Sequence, residues 1–148
     1  MKYWQSRPGF GNDPTHLFSA FDWASVNLVV DIGGGTGATS IALAQKFPSL
    51  KFVVQDMAKV AEKGKSLVDV EVASRITFME HDFFQKQPIK NADVYFMRWV
   101  LHDWSDSKAK TILRNLIPAL KKGANIILQE MILPEPGVMP FYHEKTTR

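Results

Sequence analysis

The chain has 148 residues, 45% of them hydrophobic and 22% charged, which describes one ordinary globular domain with enough apolar mass for a core. It contains no cysteine, which excludes disulfides, thiol nucleophiles and cysteine–zinc sites. The net charge of +3 comes from 18 basic and 15 acidic residues with no basic block, and no apolar run approaches the roughly 18 residues of a membrane span, so nothing points to nucleic acid or a bilayer. Met1 to Thr15, with Pro8, Gly9, Gly11 and Pro14, reads as irregular, and without an apolar signal core there the cytosol is the default compartment. Leu17 to Ala24 reads as a short helix that packs Phe18, Phe21 and Trp23 on an apolar surface. Leu28 to Ile32 is a first strand, and Thr36 to Phe47 a helix stopped by Pro48. Lys51 to Gln55 is a second strand, Met57 to Leu67 a helix, Arg75 to Glu80 a third strand and Ala92 to Met97 a fourth. Ser105 or Asp106 is placed to cap a helix whose Ile112, Leu113, Leu116, Ile117 and Leu120 recur at helical spacing, with Pro118 kinking its last turn and Gly123 as its stop. Asn125 to Met131 is a fifth strand. Alternating strands and helices, with the strands apolar almost throughout, specify an α/β fold built on a parallel sheet with helices on both faces.

Residues Val29 to Gly37 read Val-Val-Asp-Ile-Gly-Gly-Gly-Thr-Gly, a buried strand that breaks into glycines and runs into a helix. Gly33, Gly35 and Gly37 can take positive φ and carry no Cβ to hold a ligand away, and the helix beyond presents free N–H groups. Gly33-x-Gly35-x-x-Ala38 also fits the relaxed dinucleotide fingerprint, which keeps a nicotinamide-dependent oxidoreductase as an alternative. Ligands of such sheets bind at the carboxyl ends of the strands, so the polar residues there are the candidates. They are Asp31 with the glycines, Asp56, Asp82 with Phe83, His102 with Asp103 and Trp104, and Glu130. Asp56 stands 21 residues beyond Gly35, about where a carboxylate bonds a ribose hydroxyl pair. Capping a neighbouring helix is the competing reading of Asp56 and Asp82. His16, His81 and His143 have no evident partner and read as structural or surface residues.

Five segments then follow in order: Asp31-Ile-Gly-Gly-Gly-Thr-Gly37, Gln55-Asp56, His81-Asp82-Phe83-Phe84, Met97-Arg98-Trp99-Val100-Leu101-His102-Asp103-Trp104-Ser105-Asp106, and Glu130-Met-Ile-Leu-Pro134. With them the chain resembles the S-adenosylmethionine-dependent O-methyltransferases of the caffeate/flavonoid type over nearly its whole length. The Phe21-Asp22-Trp23-Ala24-Ser25 and Leu133-Pro-Glu-Pro-Gly137 stretches are similar to the fungal branch that acts on polyketide-like phenols. The resemblance implies a Rossmann-like class I methyltransferase core, over 28–148, preceded by an irregular or helical remnant over 1–27. It implies that Gly33 and Gly35 hold the methionine moiety, Asp56 the ribose, and Asp82 with Phe83 the adenine. Arg98 stands where the family usually has a lysine near the cofactor, which keeps the charge but changes the geometry. His102 is implied as general base with Glu130 orienting its other ring nitrogen, and Asp103 as a residue bordering the acceptor, a small phenol.

The chemistry asks for those types. In-line methyl transfer depends on positioning, and a phenol, which titrates near pH 10, needs a base at neutral pH, a task within the range of histidine. Phe83, Met97, Trp99, Trp104 and Met131 are candidates either for core positions or for soft faces toward a cationic methyl donor. No metal is expected. Members of the family carry an N-terminal domain that dimerises and closes the acceptor pocket, and further helices, two strands and a second glutamate after the fifth strand. The expectation is therefore a chain truncated at both ends, lacking the last strands, in which a homodimer loses most of its interface. A remnant that at most binds S-adenosylmethionine is the alternative to an active enzyme. The fifth strand is then a bare edge, with Ile126, Ile127, Leu128, Met131 and Ile132 lacking neighbours, and poor solubility as a monomer follows.

Overall fold

A computed structural model describes residues 14–130 of the chain. Five strands, β1 (Leu28–Ile32), β2 (Lys51–Asp56), β3 (Ile76–Glu80), β4 (Val94–Arg98) and β5 (Asn125–Gln129), form one parallel sheet in the order β3-β2-β1-β4-β5. Four helices accompany them: α1 (Leu17–Ala20), α2 (Ala38–Lys46), α3 (Ala58–Leu67) and α4 (Asp106–Leu116). The chain's progression across the sheet reverses between β1 and β4, the place where a sheet of this kind opens a crevice at its carboxyl edge.

Alternation along the strands divides the core in two. Val29, Phe52, Val54, Ile76, Phe78, Val94 and Phe96 face α1, α2 and α3, while Val30, Ile32, Tyr95 and Met97 face Ile112 and Leu116 of α4. Both faces of β1 and β4 are therefore dry, which is why those strands read as continuous apolar runs. Burying each such side chain contributes about 1.5–3 kcal/mol. The Arg75 guanidinium donates to the carbonyls of Ala44, Leu50 and Phe47 and so caps the carboxyl end of α2.

Several boundaries differ from the sequence expectation. The helix expected over 17–24 is split, because Phe21 is extended (φ −149°, ψ 153°) and a separate 3-10 turn forms at Trp23–Ser25. That break lets Trp23 reach under the sheet, where its indole N–H donates to Leu17 O (2.7 Å) and its ring meets the Phe96 ring edge-on. Leu17, Trp23 and Val26 thereby join the core that β1 builds. Helix α2 starts at Ala38 and not at Thr36, since the glycine loop continues through Gly37 at φ +82°. Ser105 precedes α4 in an extended conformation but makes no side-chain capping bond. Helix α4 stops at Leu116 and passes into a 3-10 turn containing Pro118, so Gly123 shapes the Lys121–Ala124 turn before β5 instead of ending the helix. Residues 1–13 and 131–148, with the expected irregular N-terminus, Met131, Ile132, His143 and the Leu133–Gly137 motif, lie outside the described residues.

Among the described residues, β5 is an edge paired only to β4. Ile126 and Leu128, 39% and 45% exposed, line an open groove of about 480 Å³ with Lys110, Leu113, Arg114 and Ile117. Ile127, expected to be bare, turns the other way and packs on the core. No described helix is long and apolar enough to cross a membrane.

Candidate functional site

The crevice between the ends of β1 and β4 holds a cavity of about 150 Å³ lined by Asp31, Gly33, Gly34, Gly35, Thr39, Arg98 and Trp99. Its floor is the glycine loop, pinned to β2 by Gly33 N–H and Gly34 N–H donating to Gln55 O at 2.8 and 3.1 Å. Gly35 takes φ +61° and has nothing within 4 Å of where a Cβ would stand, so its backbone is open to an occupant. A Cβ on Gly34, by contrast, would lie 2.6 Å from the Asp31 carboxyl carbon.

Asp31 is 1% exposed, and the Ser40 hydroxyl donates to its Oδ2 at 2.6 Å. Burial pushes its carboxyl up to about 6, against the Ser40 hydrogen bond and the Arg98 charge, which pull it down. Arg98 donates to Thr39 Oγ1 (2.9 Å) and lies over the Trp99 ring, 4.5 Å from its centroid. Trp99 has φ +56°, a costly conformation for a bulky residue, imposed where the chain leaves β4.

Asp56, at the end of β2, accepts from Gly35 N–H (2.9 Å) through Oδ2 and from Met57 N–H (2.8 Å) through Oδ1. It is thus tied to both the glycine loop and the start of α3. Asp82 is exposed and accepts from Phe84 N–H (2.9 Å), capping its own turn and not a helix. Phe83 stands beside Gly33, and Phe83, Phe84 and Trp104 form an edge-to-face aromatic cluster. Met97, by contrast, is fully buried in the core.

Past β4, a 3-10 turn at Leu101–Asp103 carries His102. Glu130, which follows β5, accepts from Val100 N–H (3.0 Å) and Leu101 N–H (2.8 Å) with Oε1, and its Oε2 lies 2.7 Å from His102 Nδ1. A carboxylate only accepts, so His102 Nδ1 carries a proton, and in the neutral imidazole Nε2 is the nitrogen with the lone pair. Asp103 Oδ1 lies 3.4 Å from that Nε2. His16, for which the sequence offered no partner, has its Nε2 2.8 Å from the Gln129 side-chain amide nitrogen. Burial pushes the His81 imidazole down, although Asp82 opposes this. Among the described residues, no three His, Asp or Glu side chains cluster as metal ligands.

Of the residues singled out from sequence, Gly33, Gly35 and Arg98 share one cavity, Asp56 is bonded to that cavity's loop, and His102, Glu130 and Asp103 form a second group. Thr39 was not foreseen as a wall of the cavity; no motif marks it beyond its place in the first turn after the glycines.

A family model described as an O-methyltransferase domain matches residues 14–145. The chain belongs to this family of O-methyltransferase domains. It is 48% identical over 145 residues to the O-methyltransferase VdtC of Byssochlamys spectabilis, covering 93% of this chain and 34% of that protein. It is 49% identical over 142 residues to the grayanic acid biosynthesis cluster O-methyltransferase of Cladonia grayi, covering 93% and 31%. The chain therefore spans about a third of the length of the curated relatives it matches. The same fold occurs in human N-acetylserotonin methyltransferase, solved in complex with SAM (TM-score 0.76, 32% identity, 90% of this chain and 38% of that one). It occurs also in NcsB1 of neocarzinostatin biosynthesis, solved with S-adenosyl-L-homocysteine and 1,4-dihydroxy-2-naphthoic acid (TM-score 0.72, 32% identity, 78% and 35%). Within this family of O-methyltransferase domains, the described sheet is a class I methyltransferase core with five strands.

Proposed function

We propose that the protein is an S-adenosylmethionine-dependent O-methyltransferase acting on a phenolic hydroxyl of a small aromatic metabolite in the cytosol. The observation that carries this reading is the His102–Glu130 pair, 2.7 Å apart, at the strand ends next to the glycine-loop cavity. Structural relatives solved with SAM, or with S-adenosyl-L-homocysteine and a dihydroxynaphthoic acid, support the choice of ligands.

The residues present fit the cofactor. A cavity of about 150 Å³ is small for a whole ligand of this kind, for which roughly 300 Å³ is a lower bound, but suits one end of it. Its lining matches an amino-acid zwitterion, with the Asp31 carboxylate for an ammonium and Arg98 for a carboxylate. Asp56 has used one site on each oxygen and retains capacity for two ribose hydroxyls. Asp82 and Phe83 are then the adenine contacts. When bound, the cofactor supplies a sulfonium methyl group. The chain's own residues orient the acceptor and remove its proton: His102 Nε2 takes the phenolic hydrogen, and the resulting imidazolium lies between Glu130 and Asp103. Neither nucleic acid nor membrane enters this reading, and a homodimer is consistent with it.

A second reading, cofactor binding without turnover, is favoured by one observation, the exposure of Ile126 and Leu128 on the β5 edge among the described residues. His102→Ala separates the two. The active enzyme retains affinity for S-adenosylmethionine in this variant but loses methyl transfer to a phenolic acceptor. Equal product from wild type and variant overturns the assignment of the base, and wild type that binds without any turnover supports the second reading.

A further inference from the structure

Two glutamines, neither given a role above, are buried together beneath the site: Gln55 on β2, 1% exposed, and Gln87 in the segment between β3 and β4, 4% exposed. Gln55 Nε2 donates to Gln87 Oε1 at 2.9 Å, and Gln87 Nε2 donates back to Gln55 Oε1 at 2.8 Å. Ile89 N–H also donates to Gln87 Oε1 (3.0 Å), which fixes that atom as the oxygen and therefore the orientation of both amides. Gln55 Nε2 reaches Met79 Sδ at 3.7 Å as well. A reciprocal amide pair in a core gives little net stability, because two apolar groups of the same shape do nearly as well. What it supplies is a fixed distance.

We infer that Gln55 and Gln87 are positioning residues that set the spacing between the ribose-facing Asp56 and the adenine-facing Asp82–Phe83 turn; this rests on the cofactor reading above. Gln55 immediately precedes Asp56, and its carbonyl accepts from Gly33 and Gly34. Gln87 belongs to the stretch that starts with Asp82 and Phe83, contains no helix or strand, and runs from β3 past β2 and β1 to β4. Such a stretch has no ladder of its own and is located by individual hydrogen bonds. One side is tied to β2 at two places, by His81 N–H donating to Asp56 O (3.1 Å) where the stretch begins and by the amide pair further along. The other is tied to α4, where Gln87 N–H donates to Asn115 O (3.0 Å) and Asn115 Nδ2 donates to Phe83 O (3.2 Å). Removing the pair leaves the adenine turn held to β2 by the His81–Asp56 bond alone, with every proposed cofactor contact in place.

The test is calorimetric titration of the 148-residue chain with S-adenosyl-L-homocysteine and with adenosine, alongside thermal melting. The double variant Gln55→Leu/Gln87→Leu should melt below wild type only by what the lost Ile89 N–H bond to Gln87 Oε1 costs, yet bind both ligands at least about tenfold more weakly and by the same factor, since the joint acts at the adenosine end. Each single change should melt lower than the double, because it leaves one buried amide unpaired. A double variant that stays folded and binds like wild type overturns the inference alone. Wild type without affinity for either ligand overturns the cofactor reading and the inference with it. Amide exchange in the wild type gives a reading that needs no variant: adenosine should slow exchange at Gln87 and Ile89, and unchanged rates there overturn the inference.

Discussion

At the scale of single residues, the site is a set of carboxylates whose surroundings differ more than their sequence contexts do. Asp31 is the extreme case. Its carboxyl binds a proton more tightly in the folded chain, at about 6, than at its ordinary 3.8. The Asp31 contribution to folding is therefore largest below about pH 4, falls as pH rises from there to about 6, and is level above; at about 1.36 kcal/mol per unit the loss is of the order of 3 kcal/mol. Asp31→Asn removes the buried charge and keeps an acceptor for the Ser40 hydroxyl. It should raise the melting temperature near pH 7, match wild type below about pH 4, and weaken S-adenosylmethionine binding; a lower melting temperature near pH 7 contradicts this. Glu130 makes the opposite kind of contribution. In Glu130→Gln the carbonyl oxygen can keep Val100 and Leu101, but the amide N–H then faces His102 Nδ1 and forces the proton onto Nε2. Methyl transfer should fall by about 10³–10⁴-fold with cofactor affinity unchanged, the size of effect seen when an orienting carboxylate is replaced by its amide. Loss of affinity in step with activity would show that Glu130 acts on the cofactor side instead.

At the scale of elements, the packing of α3 on β3 shows why propensity alone misleads. Gly64 lies in the interior of α3, where alanine gains about 1 kcal/mol in helix propensity. A Cβ there would stand 2.2 Å from the Phe78 ring of β3, however, and overpacking costs about 1–3 kcal/mol. The clash wins, so Gly64→Ala should lower the denaturant midpoint, and an unchanged or higher midpoint contradicts the packing. The five strands were legible because the buried ones are apolar on both faces and each is bounded by a turn residue or a charge. The split of the first helix was not legible, since it depends on Trp23 finding Phe96, which is distant in sequence. The end of α4 was misread because Gly123 is a good stop signal, and Pro118 had already diverted the chain.

At the scale of the whole molecule, the parallel order β3-β2-β1-β4-β5 brings five strand ends to one edge, and this is what converts scattered residues into a site. The candidates were legible as strand-end residues because the sheet alternates regularly. Gln87, Thr39 and the backbone of Trp99 were not, because a wall or a joint made by tertiary approach leaves no pattern in the chain. Among the described residues, the same architecture leaves Ile126 and Leu128 exposed beside Lys110 and Arg114. The 148-residue chain should accordingly self-associate, and a clean monomer on size-exclusion chromatography contradicts that expectation. The central claim is that the crevice between β1 and β4 binds S-adenosylmethionine. Calorimetric titration with S-adenosylmethionine, with NAD as control, tests it most directly. The account predicts binding of S-adenosylmethionine alone, weakened by Asp56→Ala; a folded protein that binds neither ligand, or prefers NAD, contradicts it.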